Sequence, residues 1–375
     1  MKDNKKITLK SVGQTLIAAL IGFSLGFFMM WLIPNDFGDA SFYAVPLVLV
    51  VFLFAYLLHI LIHEIGHLIF GLLSGYTFVS FRVGNLTIIQ KDGKFKFASI
   101  NIPGTGGQCL MSPPSYNDGY YPYVLYNLGG VLINLITSVI ALFFVSEDKS
   151  LYTNLVLIAF SMGGFLAMMT NVLPMKVGGI PTDGYNIRSI SRDKDMKYAF
   201  WLQLKANALF SKGIRPKDLP YFEKPRVYNE EKLVEPLITS AYLLEFNYLL
   251  DRREFALAKE HLNRLLPFMD ELVPLYQTSL KIERLFLELI DENDSEIINR
   301  YYDEDLINYI QLTETWLDRK RFYMAYEWFY KKNLQAAIEN YQALKELAKT
   351  HPNEGEAKME LELAEWVKRH IQTEY

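Results

Sequence analysis

The residues whose types and spacing best suit catalysis are two histidines four positions apart with a glutamate between them: His63, Glu64 and His67. On an α-helix this spacing projects both imidazoles from one face, with about 6 Å of rise between them. Two imidazoles so arranged can bind one Zn²⁺ ion while the adjacent glutamate acts as general base on a metal-bound water. The spacing therefore predicts a zinc site with hydrolytic chemistry. The competing interpretation is a histidine pair near a membrane interface, beside a glutamate that reaches the headgroups.

A zinc site that keeps its fourth position for water needs a third protein ligand. His59 lies on the same helical face, but a separation of eight residues from His67 corresponds to a rise of about 12 Å, too far for two bonds of about 2 Å. His59 is therefore predicted to support the site, to handle protons or to make a polar contact between helices. Asp183 is the better candidate ligand, because it follows the last apolar run at the membrane depth of the histidines. Taken alone, Asp183 and Gly184 would also fit an ordinary surface turn.

Four apolar runs in the first half of the chain are long enough to cross a bilayer core of about 30 Å. They cover residues 12–33, 42–73, 124–145 and 151–173. The first run could instead be a signal peptide, although it is longer than a typical signal core and no small-residue cleavage site is evident. We therefore predict a mainly α fold that begins with a four-helix membrane domain over residues 1–189.

The basic residues around these runs predict the orientation of the chain. They lie at the N-terminus, in the loop before residue 124 and after residue 173. By the positive-inside rule these segments are cytoplasmic, so we predict a multi-pass cell-membrane protein with both termini in the cytoplasm. A chain that enters the second run from outside crosses the core in about 20 residues, which puts His63 and His67 just inside the hydrocarbon on the cytoplasmic side. Placing an ionisable side chain in the hydrocarbon costs free energy, so a functional role is the default explanation for such residues.

The second half of the chain has a different composition. Residues 1–189 contain 11 Lys and Arg and 9 Asp and Glu, whereas residues 190–375 contain 27 and 33. This change predicts a soluble cytoplasmic domain over residues 190–375, and its acidic balance argues against nucleic acid as a partner. The sole cysteine, Cys109, cannot form an intrachain disulfide.

Apolar residues at helical spacing recur within this soluble domain. They are Phe255, Ala258 and Leu262, then Leu334, Ala337 and Tyr341. Amphipathic helices of this kind predict an α-helical, tetratricopeptide-like domain, although the offset of 79 residues is not a multiple of the repeat length of about 34. Such a domain would dock a partner protein or a peptide. The alternative is a helical domain that packs only for its own stability.

The loop between the second and third apolar runs predicts a small cytoplasmic β-hairpin region. Residues 76–102 alternate apolar and polar side chains and contain Lys91-Asp92-Gly93-Lys94, a typical hairpin turn. We expect the edge of this region to pair with an unwound substrate segment by strand addition. The alternative is a hairpin without a role in substrate binding.

Three motifs lie within residues 42–190: His63-Glu64-x-x-His67, Gly129-Gly130-Val131-Leu132-Ile133-Asn134, and Asn171-x-x-Pro174 followed by Asp183-Gly184. In this combination the chain resembles the site-2 protease family of intramembrane zinc metalloproteases. The resemblance implies three zinc ligands, one catalytic base and two polar groups that steady the substrate backbone: His63, His67 and Asp183, then Glu64, then Asn134 and Asn171. The chain departs from the usual family pattern in having Gly-Gly-Val where Ala-Gly-Pro is common, and in a longer gap before Asp183.

The sequence therefore favours an intramembrane zinc endopeptidase that hydrolyses a peptide bond within or near a transmembrane or signal-peptide segment. The expected partners are a membrane-spanning protein or peptide substrate, the lipid bilayer and a protein bound by the helical domain. One alternative is a catalytically silent membrane scaffold or transporter accessory protein, which would have no need of Glu64. Another is a metal or proton transporter that uses the stripe of His59, His63 and His67.

Overall fold

The computed structural model describes residues 41–91, 93–99, 105–117, 119–177, 180–223 and 226–373. Within these residues the protein is mainly helical and has a small antiparallel sheet, as the sequence predicts. The predicted first span, at residues 12–33, lies outside the described residues.

Three helices of the described chain are long and apolar enough to cross a membrane. They are α1 (Ser41–Leu73), α2 (Tyr123–Phe143) and α3 (Leu151–Val172). These helices confirm the second, third and fourth predicted apolar runs as helical segments, with bounds that differ by one or two residues.

Local hydrogen bonds set the ends of the two later helices. Helix α2 ends before its apolar run does, because the backbone N–H groups of Phe144 and Val145 donate to carbonyls three residues earlier and form a turn. Helix α3 begins after Ser150, whose hydroxyl accepts a hydrogen bond from the backbone N–H of Thr153. A serine in this position is a favourable N-cap.

Helix α1 is polar on its buried side and apolar on its exposed side. His59 is fully buried, and His63 and Glu64 are 7 % and 8 % exposed, whereas Phe54 and Leu57 are 70 % and 61 % exposed. A surface helix of a water-soluble protein has the opposite pattern. An apolar outer face around polar interior groups suits a lipid environment.

Glycines bring the three apolar helices into backbone contact. A Cβ atom on Gly66 would lie 2.3 Å from the carbonyl oxygen of Gly129, and one on Gly129 would lie 2.5 Å from that of Gly66. A Cβ atom on Gly163 of α3 would lie 3.0 Å from the backbone nitrogen of Tyr56. Small residues at helix crossings are typical of membrane helices, in which close van der Waals packing replaces the hydrophobic driving force.

A four-stranded antiparallel sheet follows α1. Its strands are β1 (Thr77–Val83), β2 (Leu86–Lys91), β3 (Lys94–Ser99) and β4 (Gly107–Ser112), in the order β3-β2-β1-β4. The predicted hairpin is confirmed, since Lys91 pairs with Lys94 and Gly93 between them has a φ of +73°, a left-handed conformation that favours glycine. The sequence did not predict β4, which pairs with β1 across the intervening hairpin.

Ten further α-helices follow within the described residues. They are α4 (Asp183–Arg192), α5 (Lys194–Ser211), α6 (Pro236–Asp251), α7 (Phe255–Asn263), α8 (Pro274–Leu289), α9 (Ser295–Tyr301), α10 (Glu304–Leu312), α11 (Leu317–Ala325), α12 (Leu334–Thr350) and α13 (Glu354–Thr373). A short ladder of β5 (Lys176–Val177) and β6 (Ile180–Pro181) precedes α4, and a π-helical turn, Tyr326–Tyr330, extends α11.

The apolar residues at helical spacing pack as the sequence predicts in most positions. Ala258 and Leu262 of α7 and Ala337 of α12 are fully buried, and Tyr341 is 7 % exposed. These side chains form part of the core of this helical region.

The chain forms two compact units. Within the described residues, the first unit runs to Gly71 and adds Tyr123–Lys176 and Pro181–Ile187. The second unit comprises Leu72–Pro122, a short piece around β5 and β6, and the chain from Arg188 onward. The first unit therefore contains most of the three apolar helices and the start of α4. The predicted domain boundary at residue 189 stays a prediction.

A buried arginine links three helices of the second unit. Nη2 of Arg321 lies 2.6 Å from Oε1 of Glu283, and its Nε lies 2.6 Å from Oε2 of Glu360. Arg321 is fully buried, and its guanidinium lies 4.1 Å from the centre of the Phe286 ring. Because charge-assisted hydrogen bonds are strong and directional, this network fixes α8, α11 and α13 relative to one another.

Candidate metal centre

The structure brings three candidate ligand atoms to one point: Nε2 of His63, Nε2 of His67 and Oδ2 of Asp183. The two nitrogens are 3.1 Å apart, and the oxygen lies 3.0 Å from the first and 3.3 Å from the second. In a tetrahedral site with zinc–ligand bonds of about 2.0–2.1 Å, ligand atoms are about 3.3 Å apart. The three atoms therefore form a triangle close to the size of one face of such a site, and the group could hold a metal ion.

Two of these side chains come from α1 and the third from the first turn of α4. His63 and His67 lie one helical turn apart, and Asp183 is the first residue of α4. The three side chains are nearly enclosed, with exposed fractions of 9 %, 10 % and 15 %. Two nitrogen donors and one oxygen donor suit zinc and several other first-row divalent ions.

The ring of His67 has the orientation and tautomer that a metal ligand needs. Its Nδ1 lies 2.8 Å from the backbone carbonyl oxygen of Tyr126. Because a carbonyl oxygen only accepts hydrogen bonds, Nδ1 carries the hydrogen, and a neutral ring then has its lone pair on Nε2. Metal-bound histidines commonly donate their second N–H group in this way.

Gly130 of α2 makes room for the ring of His63. A Cβ atom on Gly130 would lie 2.4 Å from Cε1 and 2.5 Å from each ring nitrogen of His63. A side chain larger than hydrogen therefore fits there only if the imidazole moves. The two neighbouring glycines therefore have different roles. Gly129 allows α2 to contact the backbone of α1, and Gly130 leaves space for the imidazole of a candidate ligand.

Thr182 fixes the loop that delivers Asp183. Its hydroxyl donates to the carbonyl oxygen of Leu173 at 2.6 Å and accepts from the backbone N–H groups of Met175 and Tyr185, each at 3.3 Å. These bonds close the loop after α3 and cap the N-terminus of α4. Asp183 therefore opens a capped helix and does not lie in an exposed turn.

The carboxyl group of Asp183 is electrostatically matched to the two imidazoles. Burial alone would raise the pKa of Asp183, but the charge of a protonated His67 and hydrogen bonds from His63 and His67 outweigh burial and hold this pKa below its ordinary value. A metal ion bound to the two Nε2 atoms in place of those protons would act on the carboxyl group in the same direction. The group is therefore a carboxylate at neutral pH, which is the form that binds a metal ion.

Two fully buried polar residues, His59 and Asn134, lie behind His63. The side-chain amide of Asn134 lies 3.1 Å from Nδ1 of His59 and 3.3 Å from Nδ1 of His63. Nε2 of His59 lies 3.0 Å from the carbonyl oxygen of Phe160. Both nitrogens of His59 are thus engaged by α2 and α3, and His59 is not one of the three converging ligands.

No protein-family model, curated protein or solved structure matches the chain.

The remaining predicted site residues differ in their surroundings. Glu64 is 8 % exposed and follows His63 directly in α1. Asn134 contacts His63, whereas the amide nitrogen of Asn171 donates to the carbonyl oxygen of Ala167, one turn earlier in its own helix, at 2.9 Å. The roles of Asn134 and Asn171 toward a substrate stay predictions.

The sequence did not predict the roles of three residues that support the site. Tyr126 acts through its backbone carbonyl, which no residue type reveals. The contact of Gly130 with His63 depends on how two helices cross. Thr182 did leave a signal, since a threonine directly before the first residues of a helix is a typical N-cap.

Proposed function

We propose that this protein is an intramembrane zinc endopeptidase, which hydrolyses a peptide bond within or near a transmembrane or signal-peptide segment of its substrate. The observation that carries the proposal is the separation of 3.0 to 3.3 Å among the ligand atoms of His63, His67 and Asp183, with Glu64 beside them on an apolar helix. The resemblance of the sequence motifs to the site-2 protease family supports the same assignment.

The proposal locates this zinc site within the lipid bilayer. Helices α1, α2 and α3 have the length and composition of membrane spans, and the exposed face of α1 is apolar. We add the apolar run at residues 12–33 as a fourth span. With four spans, both termini of a multi-pass cell-membrane protein lie in the cytoplasm.

The side chains of the site have separate roles in this reaction. When bound, zinc lowers the pKa of a coordinated water to about 7 and polarises the scissile carbonyl. His63, His67 and Asp183 would hold the ion through three protein ligands and leave a fourth position for water. Glu64 accepts the proton of the attacking water and delivers it to the amine nitrogen as the peptide bond breaks.

The substrate must unwind before it is cut, because the carbonyl of a helical peptide bond is already hydrogen-bonded. We expect substrates whose span contains helix-weakening residues near the cleaved bond. Strand β3 is an edge of the sheet and exposes Phe95 and Phe97 by 65 % and 73 %, so it can accept an extended segment by strand addition. We assign Asn171 a supporting contact with the substrate backbone through its amide oxygen.

The helical region after residue 190 acts in this proposal as a tetratricopeptide-like docking module. Its helices carry buried apolar stripes, as helical hairpins of that type do. A bound protein or peptide partner would select the substrate or regulate its access to the membrane site.

Replacement of the general base tests the proposal most simply. Wild type and Glu64→Gln are reconstituted in liposomes with a panel of reporter proteins, each with one apolar span, half of them with a central Gly-Pro pair. We expect new termini within or near the span with wild type, and a rate lower by about 10²–10⁴-fold with Glu64→Gln at unchanged zinc content. Mass spectrometry locates the termini.

Glu147→Gln, in the exposed loop before α3, is the matched control and should cleave like wild type. Equal cleavage by Glu64→Gln would eliminate Glu64 as the base. A zinc-loaded wild type that cuts no reporter would favour a scaffold or transporter accessory protein over a protease.

A further inference from the structure

Two fully buried polar side chains connect the candidate ligand His63 to the backbone of α3. Nε2 of His59 lies 3.0 Å from the carbonyl oxygen of Phe160, and Nδ1 of His59 lies 3.1 Å from the side-chain amide of Asn134. The other end of that amide lies 3.3 Å from Nδ1 of His63. Buried polar groups are costly unless they are hydrogen-bonded, and this line of bonds satisfies both side chains.

The hydrogen positions along the line follow from its fixed end. The carbonyl of Phe160 only accepts, so Nε2 of His59 carries a hydrogen, and Nδ1 of a neutral His59 is an acceptor. The group of Asn134 that faces His59 must then be its NH₂ group, which directs the amide oxygen toward His63. Since that oxygen also only accepts, Nδ1 of His63 carries a hydrogen and Nε2 keeps the lone pair that binds a metal ion.

In the structure the amide has the opposite orientation, with its oxygen toward His59 and its nitrogen toward His63. That orientation requires a hydrogen on both nitrogens of His59, and hence a positive charge on a fully buried ring. It also requires a hydrogen on Nε2 of His63, directed at Asp183 3.0 Å away, which leaves no lone pair for a metal ion. A half-turn of the amide exchanges its two ends without moving either imidazole.

We infer that His59 and Asn134 are positioning residues, which together hold His63 in the tautomer whose Nε2 binds the metal ion. The inference rests on the proposed metal site. It gives Asn134 an orienting role in place of the predicted contact with substrate. Of the three roles predicted for His59, it selects support of the site.

The packing around the two imidazoles leaves them little freedom. A Cβ atom on Gly164 would lie 2.5 Å from Cε1 of His59 and 2.0 Å from Oγ of Ser138. A Cβ atom on Gly130 would overlap the ring of His63 in the same way. One glycine thus lies against each imidazole of the line, Gly164 of α3 at His59 and Gly130 of α2 at His63, so each ring is confined as well as hydrogen-bonded.

The zinc affinity of the full-length protein in detergent, measured by competition with a colorimetric chelator, tests the inference without any substrate. Asn134→Leu keeps the size of the side chain but removes both hydrogen-bonding groups, and it should weaken zinc binding about 10- to 100-fold. His59→Phe should weaken binding in the same direction by a smaller factor. The double variant should bind zinc no more weakly than Asn134→Leu, because both substitutions break one line of hydrogen bonds.

Two further variants separate positioning from general damage to the fold. Asn134→Asp retains an acceptor for the N–H group of His63 and should recover most of the affinity that Asn134→Leu loses. Ser161→Ala is the matched control, since it removes a fully buried hydroxyl that donates to the carbonyl oxygen of Ser138 at 2.8 Å. The visible absorption bands of the cobalt(II)-substituted protein should shift in Asn134→Leu and stay unchanged in Ser161→Ala.

The possible failures are distinguishable. A wild-type protein that binds no divalent ion would overturn the proposed function together with this inference. A wild type that binds zinc, with Asn134→Leu and His59→Phe binding it equally well, would overturn only the positioning role. Losses that multiply in the double variant would contradict a single line of bonds. If Asn134→Leu does not fold, His59→Phe and Asn134→Asp still decide the question.

Discussion

Each candidate metal ligand is oriented by a group from another part of the first unit. The ring of His67 is held by the carbonyl of Tyr126, and that of His63 faces Asn134. Asp183 is delivered by the loop that Thr182 closes. Because these partners come from α2 and from the loop after α3, the geometry of the site depends on the packing of several elements and not on α1 alone.

Removal of the aspartate tests its role as the third ligand. Asp183→Ala should lower the zinc affinity by more than the roughly 10- to 100-fold loss expected for a supporting residue, because it removes both a donor atom and a negative charge. Elemental analysis of the purified protein after dialysis measures the loss. Asp148→Ala, in an exposed loop, is the control, and unchanged zinc in Asp183→Ala would require another third ligand.

At the scale of single residues, the sequence predicts best those relations that lie within one helix, because helix geometry fixes them. The spacing of His63 and His67 suffices to place them on one face, and the rise between residues suffices to exclude His59 as a ligand. The prediction of Asp183 as a ligand did not follow from helix geometry. It rested on the expected membrane depth of this residue and on the need for a third metal ligand. The tautomers of the imidazoles and the contact with Gly130 depend on helix crossings, which no local pattern specifies.

Among the elements, the apolar helices were the most predictable and the short ordered pieces the least. An apolar run that must span a bilayer core is long and apolar throughout, so its first and last residues can be predicted from the sequence. Strand β4 buries Cys109, Met111 and the adjacent Ser112, which gives it only a short alternating pattern, and its partner β1 is separated from it in sequence by two other strands. The prolines and glycines after α3 predict that the helix stops. They do not predict that the hydroxyl of Thr182 donates a hydrogen bond to the carbonyl oxygen of Leu173 at the helix end.

The loop after α3 can be tested through its central hydroxyl. Thr182→Val removes the bonds to Leu173, Met175 and Tyr185, and it should destabilise the protein by about 1 kcal/mol and weaken zinc binding, because Asp183 is no longer held. Thermal unfolding in detergent and chelator competition measure the two effects.

Thr182→Ser should preserve both properties. Thr170→Val is the matched control, since its hydroxyl bonds only to carbonyls of its own helix among the contacts described, at 2.9 and 3.1 Å. Full zinc affinity in Thr182→Val would show that the loop does not need this hydroxyl to present the aspartate.

Over the whole molecule, the sequence separates an apolar, charge-poor half from a charge-rich half, and the two compact units of the structure differ in the polar groups that they bury. Polar groups of the first unit are buried within apolar helices, whereas the second unit buries an ionic network around Arg321. Composition reveals the change of environment but not the network, because Arg321, Glu283 and Glu360 lie on three helices whose packing is not local in sequence.

The buried network makes a prediction about pH as well as stability. Burial raises the pKa of Glu283 and of Glu360, and the charge of Arg321 opposes this rise. Arg321→Met should therefore destabilise the protein by about 3–5 kcal/mol near neutral pH and raise both pKa values further. A carboxyl group whose pKa is raised in the folded state binds its proton more tightly there than in the unfolded state. The stability that this contributes is fully present below the unfolded-state pKa and is lost as the pH rises through the folded-state pKa.

The loss of stability in Arg321→Met relative to wild type should accordingly shrink from about pH 8 to about pH 5, as Glu283 and Glu360 take up protons. Thermal unfolding of the full chain in detergent across this range is the measurement. Lys349→Met, which breaks an exposed pair with Glu346, should change the midpoint little at any pH. A deficit that grows toward acid pH would contradict the assignment of a charge-balancing role to Arg321.

Zinc K-edge X-ray absorption of the full-length protein in detergent tests the central claim most directly, because it reports the atoms around the ion without a substrate. A site formed by His63, His67, Asp183 and a water requires four nitrogen or oxygen neighbours at about 2.0–2.1 Å, two of them imidazoles. The Asp183→Ala sample should lose this signal with its zinc. A sulfur neighbour, three or more imidazoles, or a purified protein that does not retain zinc would contradict it.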